Sequence, residues 1–359
     1  MKTNHNNYLK LAFNIAKINL GKTSLNPSVG CIVVKNNSVI SSGYTSLKGR
    51  PHAEYNALSS KNELNNSDIY VTMEPCTHYG LTPPCTNIIA KKGVKRVYFS
   101  FNDIDKRTSR KSRSVLLKKK IKMYKRNLKK FNSFYESYFY TKKNTLPYID
   151  AKIAISRDFY TIKKSHSKWI TNNFSRKRTH LLRSEYEGIL STSKSINEDN
   201  SSLNCRINGL DKNKPDLIII DRKLKINKNL KIFKTKTKRK IFVVTLVNKA
   251  KKISFLKRKG VKMIYVKSLE NKCDFINLFK TLKNHNINRI LVESGLIFLN
   301  ELIKNKIIFN LYVFKSYNSL KNIGKNNISN KFVKKIKLTN RIKVNLNGEN
   351  IYKVRLKHV

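Results

Sequence analysis

In its first hundred residues the chain alternates short apolar runs with stretches whose apolar positions recur every three or four residues. Leu9, Phe13, Ala16 and Leu20 fall at helical spacing and predict an amphipathic first helix. Residues 31–34 and 39–44, joined by the polar turn 35–38, read as a β-hairpin. A helical stretch opens at His52 and carries Ala57 and Leu58, and Asp68–Met73 reads as a buried strand. Pro83-Pro84-Cys85 introduces another helix through Ile88, Ile89 and Ala90, since proline suits the first turn and not the interior. Residues 94–99 form a further strand. The sum is a three-layer α/β/α arrangement.

A second α/β series begins near Pro147, with strands predicted at 148–155, 188–190, 216–220, 241–247, 263–266, 289–292 and 311–314. The intervening 115–147 stretch is lysine-dense and then aromatic. Phe131, Phe134, Tyr135, Tyr138, Phe139 and Tyr140 recur at spacings of three and four, which predicts one apolar helix face rather than a base-stacking platform. At 359 residues the chain suits two domains, placed at 1–145 and 146–359. No internal repeat or Gly/Ser- or Pro-rich linker is present.

A net charge of +55 would ordinarily announce a nucleic-acid or anionic-membrane partner. Here the lysines are dispersed through nearly every segment beside abundant Asn and Ile, the pattern that A/T-rich codon usage produces. The reading is therefore no nucleic-acid partner, with a field that favours anionic small molecules. Five scattered cysteines are too few for a disulfide framework and fit a reducing cytoplasm. The N-terminus lacks the apolar core of a signal peptide, and no run approaches the roughly 18 apolar residues of a membrane span. Association between copies stays open.

His52-Ala53-Glu54, Pro75-Cys76 and Pro84-Cys85 carry the chemistry. One imidazole and two thiolates fill three tetrahedral positions of Zn²⁺ and leave the fourth for water, whose pKa the metal lowers to about 7. Glu54, two residues past His52, is placed to move protons rather than to ligate. His-x-Glu followed by Pro-Cys and a second Cys is the signature of zinc-dependent base deaminases.

Eight residues separate Cys76 from Cys85, where most deaminases of this kind have two. The segment 74–85 (EPCTHYGLTPPC) closely resembles that of the bifunctional riboflavin-biosynthesis deaminase/reductase family, as do 26–31 (NPSVGC) and 49–54 (GRPHAE). In the second half, 152–158 (KIAISRD), 167–171 (SKWIT), Leu182-Arg183, Asp199-Asn200, Leu203, Arg206 and 291–295 (LVESG) fall at the same family's spacing. The resemblance implies a cytidine-deaminase-like α/β/α domain followed by a dihydrofolate-reductase-like α/β domain. The first would remove the 2-amino group of a diaminopyrimidinone ribosylamine 5′-phosphate, using Zn²⁺. The second would reduce the ribosyl group to ribityl with NADPH. It further implies that Asn26 and His78 line the pyrimidine pocket. Ser167, Arg183, Leu203, Arg206 and Glu293 would hold the reductase substrate, the two arginines at its phosphate. Ala154, Trp169, Ser195, Asp199 and Gly295 would contact NADPH, and Lys152 would polarise the ribose carbonyl. No Gly-x-Gly-x-x-Gly fingerprint occurs, as a dihydrofolate-reductase-like sheet would have it.

Several positions depart from that family's pattern. Arg110 and Ser112 stand where it usually has glycines, Phe159 replaces a Gly after Asp158, and Lys194, Ser201 and Ser294 replace two glycines and a proline. Lost positive φ angles or close backbone approaches are expected at such sites. Leu81 stands where a basic residue is usual. Two other readings follow: an active deaminase with a degenerate, non-catalytic reductase domain, or a basic RNA-binding or RNA-editing deaminase, against which the cysteine spacing speaks.

Overall fold

A computed structural model describes residues 4–59, 63–164, 169–210, 215–234, 239–327 and 336–356. The chain divides into two compact units, Met1–Thr145 and Leu146–Val359.

The first unit is built on a five-stranded sheet in the order β2-β1-β3-β4-β5. The strands are β1 (Gly30–Lys35), β2 (Ser38–Tyr44), β3 (Asp68–Met73), β4 (Arg96–Phe101) and β5 (Lys122–Lys125). β1 runs antiparallel to β2 and β3, whereas β3, β4 and β5 are parallel. Strand period two sorts the side chains between two faces. Ile32, Val34, Tyr70 and Tyr98 pack against Leu9 and Ala12 of α1 (His5–Ala16). Cys31, Val33, Ile69, Val71 and Val97 face Ala53, Ala57 and Leu58 of α2 (Ala53–Leu58), Ile89 of α3 (Cys85–Lys91) and Leu116 of α4 (Ser112–Lys118). Both faces are covered, which is why β3 is buried along its whole length and mostly apolar.

The aromatic segment does not form the single helix that its periodicity predicts. Residues Lys129–Phe131 make a 3-10 turn, and α5 covers only Glu136–Lys143. Phe131, Phe134 and Tyr135 nonetheless pack in the core, with Phe131 stacked on Phe13 at 4.0 Å between ring centroids. Aromatic spacing reported burial correctly and the backbone conformation wrongly.

The second unit carries an eight-stranded sheet in the order β11-β10-β9-β8-β12-β6-β13-β15. Its strands are β6 (Tyr148–Ile155), β8 (Gly188–Thr192), β9 (Asp216–Ile220), β10 (Ile241–Thr245), β11 (Val261–Tyr265), β12 (Arg289–Val292), β13 (Asn310–Lys315) and β15 (Asn350–Arg355). All neighbours are parallel except β13 and β15. β7 (Tyr160–Lys163) and β14 (Gly324–Asn327) pair separately. Of the helices α6 (Asn173–Ser184), α7 (Ser193–Asp199), α8 (Lys231–Lys234), α9 (Ala250–Arg258), α10 (Lys272–Asn284) and α11 (Leu296–Lys304), α10 and α11 cover one face of the large sheet. There Phe275, Phe279, Phe298 and Leu302 meet Ala151, Leu190, Phe242 and Val292. The other face takes Leu182 of α6, Ile196 of α7 and Leu256 of α9 against Ile189, Ile219, Val243 and Leu291. Parallel strands place their C-terminal ends on one edge of each sheet, and in open α/β sheets ligands bind outside that edge. No helix among the described residues is long and apolar enough to cross a membrane.

Candidate functional sites

Two helix starts and one strand end build the metal centre. His52 caps α2, Cys85 opens α3, and β3 ends at Met73, directly before Glu74-Pro75-Cys76. Pro84 in extended conformation sets the entry to α3. The Nδ1 of His52 lies 3.3 Å from the Cys85 sulfur and 3.6 Å from that of Cys76. All three ligand atoms lie within 4.8 Å of one another. Tetrahedral bonds of the length zinc makes to nitrogen and sulfur put such atoms about 3.6 Å apart, so the donor set fits that ion. Nδ1 is the ring nitrogen turned to both sulfurs and so the one placed to ligate; the opposite nitrogen, Nε2, is buried with no hydrogen-bond partner among the described residues.

One thiol of the pair is prepared for this, while a hydrogen bond to Cys76 and burial push the Cys85 thiol up. Contact with the Cys85 thiol, assisted by His52 and the Cys85 N–H at 3.2 Å, lowers the Cys76 pKa to about 4. Glu54 is 4% exposed on the first turn of α2. Burial, reinforced by the neighbouring Cys76 sulfur, raises its pKa to about 7, so it can both take and give a proton near neutrality.

Around the triad, Asn26 donates through Nδ2 to the Gly49 carbonyl at 3.0 Å, and His78 Nδ1 lies 3.0 Å from Thr108 Oγ1. Glu74, which the sequence reading passed over, organises this region. Its carboxylate accepts from Asn102 Nδ2, from the backbone N–H groups of Asp103, Arg110 and Ser112, and from Ser112 Oγ at 2.9 Å. It thereby holds the 102–112 loop that presents Thr108 to His78. The one clue in the sequence is an acid at the end of a mostly apolar strand. Arg110 keeps a φ of +58° and Phe159 one of +68°, so the conformations that glycine favours survive without glycine. Leu81 is 89% exposed.

In the second unit Lys152, on β6, and Glu293, just past β12, approach to 3.8 Å. Arg183, on α6, clamps both Glu293 oxygens, Nε at 2.6 Å and Nη2 at 3.0 Å, and its Nη1 reaches the Asn204 carbonyl at 3.2 Å. Burial alone would raise the Glu293 pKa; Arg183 and Lys152 outweigh it and hold it below the usual value. Burial lowers the Lys152 pKa against the pull of Glu293. Arg206 joins the cluster through Asn204 Oδ1 at 2.9 Å. Leu203 is buried with a φ of +43°, and the buried Arg239, also missed by the sequence reading, donates to its carbonyl at 2.8 Å. Gly295 caps α11 and donates its N–H to Ser195 Oγ at 3.2 Å. A nine-residue helix whose N-cap N–H meets a serine hydroxyl fits a phosphate of a dinucleotide.

Ala154, on β6 beside Phe314 of β13, borders the core, and Asp199 ends α7 at the surface. Trp169 is 61% exposed with the Arg176 guanidinium 4.8 Å from its ring, so it is not a core aromatic. Ser167 lies outside the described residues.

Fold and site together define a zinc-dependent base deaminase followed by a reductase-type α/β unit. Residues 2–101 match the cytidine and deoxycytidylate deaminase zinc-binding region, and residues 147–314 match the RibD C-terminal domain. The riboflavin biosynthesis protein RibD of Aquifex aeolicus is 34% identical over 315 residues, covering 86% of this chain and 85% of the relative. That of Buchnera aphidicola is 31% identical over 334 residues, covering 89% and 88%. A solved diaminohydroxyphosphoribosylaminopyrimidine deaminase/5-amino-6-(5-phosphoribosylamino)uracil reductase from Thermotoga maritima superposes with a TM-score of 0.81 at 25% identity, covering 98% of each chain. Acinetobacter baumannii RibD, also at 0.81, covers 99% of each and is 23% identical, which supports the fold. The chain belongs to the RibD family of riboflavin biosynthesis proteins. Its first unit is cytidine-deaminase-like and its second is the dihydrofolate-reductase-like domain of that family.

Proposed function

We propose that this chain catalyses two consecutive steps of riboflavin synthesis: deamination of 2,5-diamino-6-(5-phosphoribosylamino)pyrimidin-4(3H)-one, then reduction of the product's ribosyl group to ribityl. The convergence of His52, Cys76 and Cys85 beside a buried Glu54 carries the first step. When bound, zinc supplies the Lewis acidity that makes water a usable nucleophile near pH 7. Glu54 accepts the proton of the attacking water, delivers it to the ring nitrogen, and passes a second to the departing amine. Asn26 and His78 orient the pyrimidine, the latter steadied by Thr108.

The second step rests on the Lys152–Glu293–Arg183 cluster. NADPH, when bound against Ala154, Trp169, Ser195, Asp199 and Gly295, supplies the hydride. Lys152 directs its ammonium at the oxygen that gains charge, and Glu293 fixes that ammonium while bonding a substrate hydroxyl. Each terminal nitrogen of Arg183 keeps a second N–H, so Arg183 and Arg206 can share the substrate phosphate. Ser167 and Leu203 complete the substrate contacts. We place the enzyme in the cytoplasm, with small molecules and not nucleic acid as its partners. Nothing in the comparisons favours a degenerate reductase or an RNA-directed enzyme.

A two-step assay with the pyrimidine phosphate, zinc and NADPH tests this. Both turnovers are expected. Glu54→Gln should retain zinc, lose about 10²–10⁴-fold in deamination and reduce the deaminated intermediate at the wild-type rate. A variant that loses both activities would contradict two independent sites.

A further inference from the structure

Deamination happens at the ring, yet the substrate also carries a phosphate on its ribosyl end, and that charge needs a partner at the mouth of the site. Residue 81, where the resembling family has a basic side chain, is an exposed leucine here. A cation from another segment reaches this loop. Arg50, two residues before the ligand His52, donates through Nη1 to Thr82 Oγ1 at 2.6 Å. Its Nη2 lies against Gly80, where an added Cβ would stand 3.4 Å away. The guanidinium therefore rests on the loop residues on either side of Leu81. It is partly buried, and among the described residues no carboxylate forms an ion pair with it. One neutral hydroxyl occupies one of its five donors. A partly desolvated guanidinium with spare donors and no anion is suited to a two-pronged grip on phosphate oxygens.

We propose that Arg50 is the phosphate-recognition residue of the deaminase site, supplying from beneath the loop the charge that Leu81 lacks; this rests on the deaminase activity argued above. Arg50 acts on binding more than on turnover, since the phosphate is remote from the carbon under attack.

The experiment compares deamination of the phosphorylated substrate with that of its dephosphorylated riboside, using the full zinc-loaded chain. Arg50→Gln should raise KM for the phosphorylated substrate roughly 10- to 100-fold, the worth of one charge-assisted contact, with kcat within about threefold. The riboside's KM should not move. Adding Leu81→Lys to that variant should recover most of the loss, a rescue that a merely structural Arg50 would not allow. Zinc content and the rate of the reduction step report that the variant is folded. Should Arg50→Gln lose zinc, Leu81→Lys alone tests the same idea, with inorganic phosphate expected to inhibit deamination several-fold more strongly than in the wild type. An active enzyme in which Arg50→Gln affects both substrates equally or neither, or in which Leu81→Lys changes nothing, overturns the assignment. A wild type inert on both substrates overturns the deaminase function, and the subsite with it.

Discussion

Arg110 and Phe159 show how single residues bear the cost of replacing glycine. Both keep left-handed backbone, a conformation that costs a residue with a Cβ roughly 1–2 kcal/mol. Arg110 is held there because its N–H is bonded to Glu74, and Phe159 because its ring packs against the second unit's core with Lys315 above it. The two should respond differently to restored glycine. Arg110→Gly removes an exposed side chain and should raise the melting temperature by a few degrees, equivalent to about 1 kcal/mol, without weakening deamination. Phe159→Gly gives up packing as well as strain and should gain nothing. Thermal melts of both variants check this; destabilisation by Arg110→Gly would show that the loop does not demand that backbone. The grouping of His52, Cys76 and Cys85 was legible in the sequence because a metal-binding donor set restricts residue type and spacing. Glu74, Arg50 and Arg239 were not, since each acts on backbone or hydroxyl groups that only folding brings near.

At the level of elements, buried strands announced themselves best. Asp68–Met73, Tyr148–Ile155, Asp216–Ile220 and Arg289–Val292 were read with the bounds the structure has, because strands covered on both faces are mostly apolar. β5, β7, β14 and β15 escaped notice: each lies at a sheet edge or in the small two-stranded sheet, and polar residues run through them. The start of β8 also carries a testable charge. Glu187 accepts from the backbone N–H groups of Asn288 and Arg289, tying β8 to β12, and burial raises its pKa to about 7. Because the folded state binds this proton more tightly than the unfolded chain, its contribution to stability is full below about pH 4.5 and is lost as pH rises through 7. Glutamine offers the same acceptor oxygen without ionising. Glu187→Gln should therefore unfold at higher denaturant than wild type at pH 8, by about 1–3 kcal/mol, with the gap closing toward pH 5. A gap independent of pH would argue against an ionisable Glu187 at that junction.

Across the whole molecule the charge of +55 is spread over both units, with only six ion pairs among the described residues. Such a chain repels itself, and salt should relieve it. Raising NaCl from about 10 mM to 0.3 M is expected to increase the melting temperature; a flat or falling response would mean that the lysines are locally compensated. The two-unit plan was visible in the sequence because strand–helix alternation restarts near Pro147. Which residues of the second unit meet was not, because Lys152, Arg183 and Glu293 come from three separate elements.

X-ray absorption at the zinc edge of the purified chain, with metal content measured alongside, probes the deaminase centre most directly. One zinc per chain is expected, with two sulfur neighbours near 2.3 Å and the rest of the shell nitrogen or oxygen near 2.0–2.1 Å. Cys76→Ser should lower both the metal content and the sulfur count. A chain without zinc, or with a zinc shell that holds no sulfur, would contradict the account.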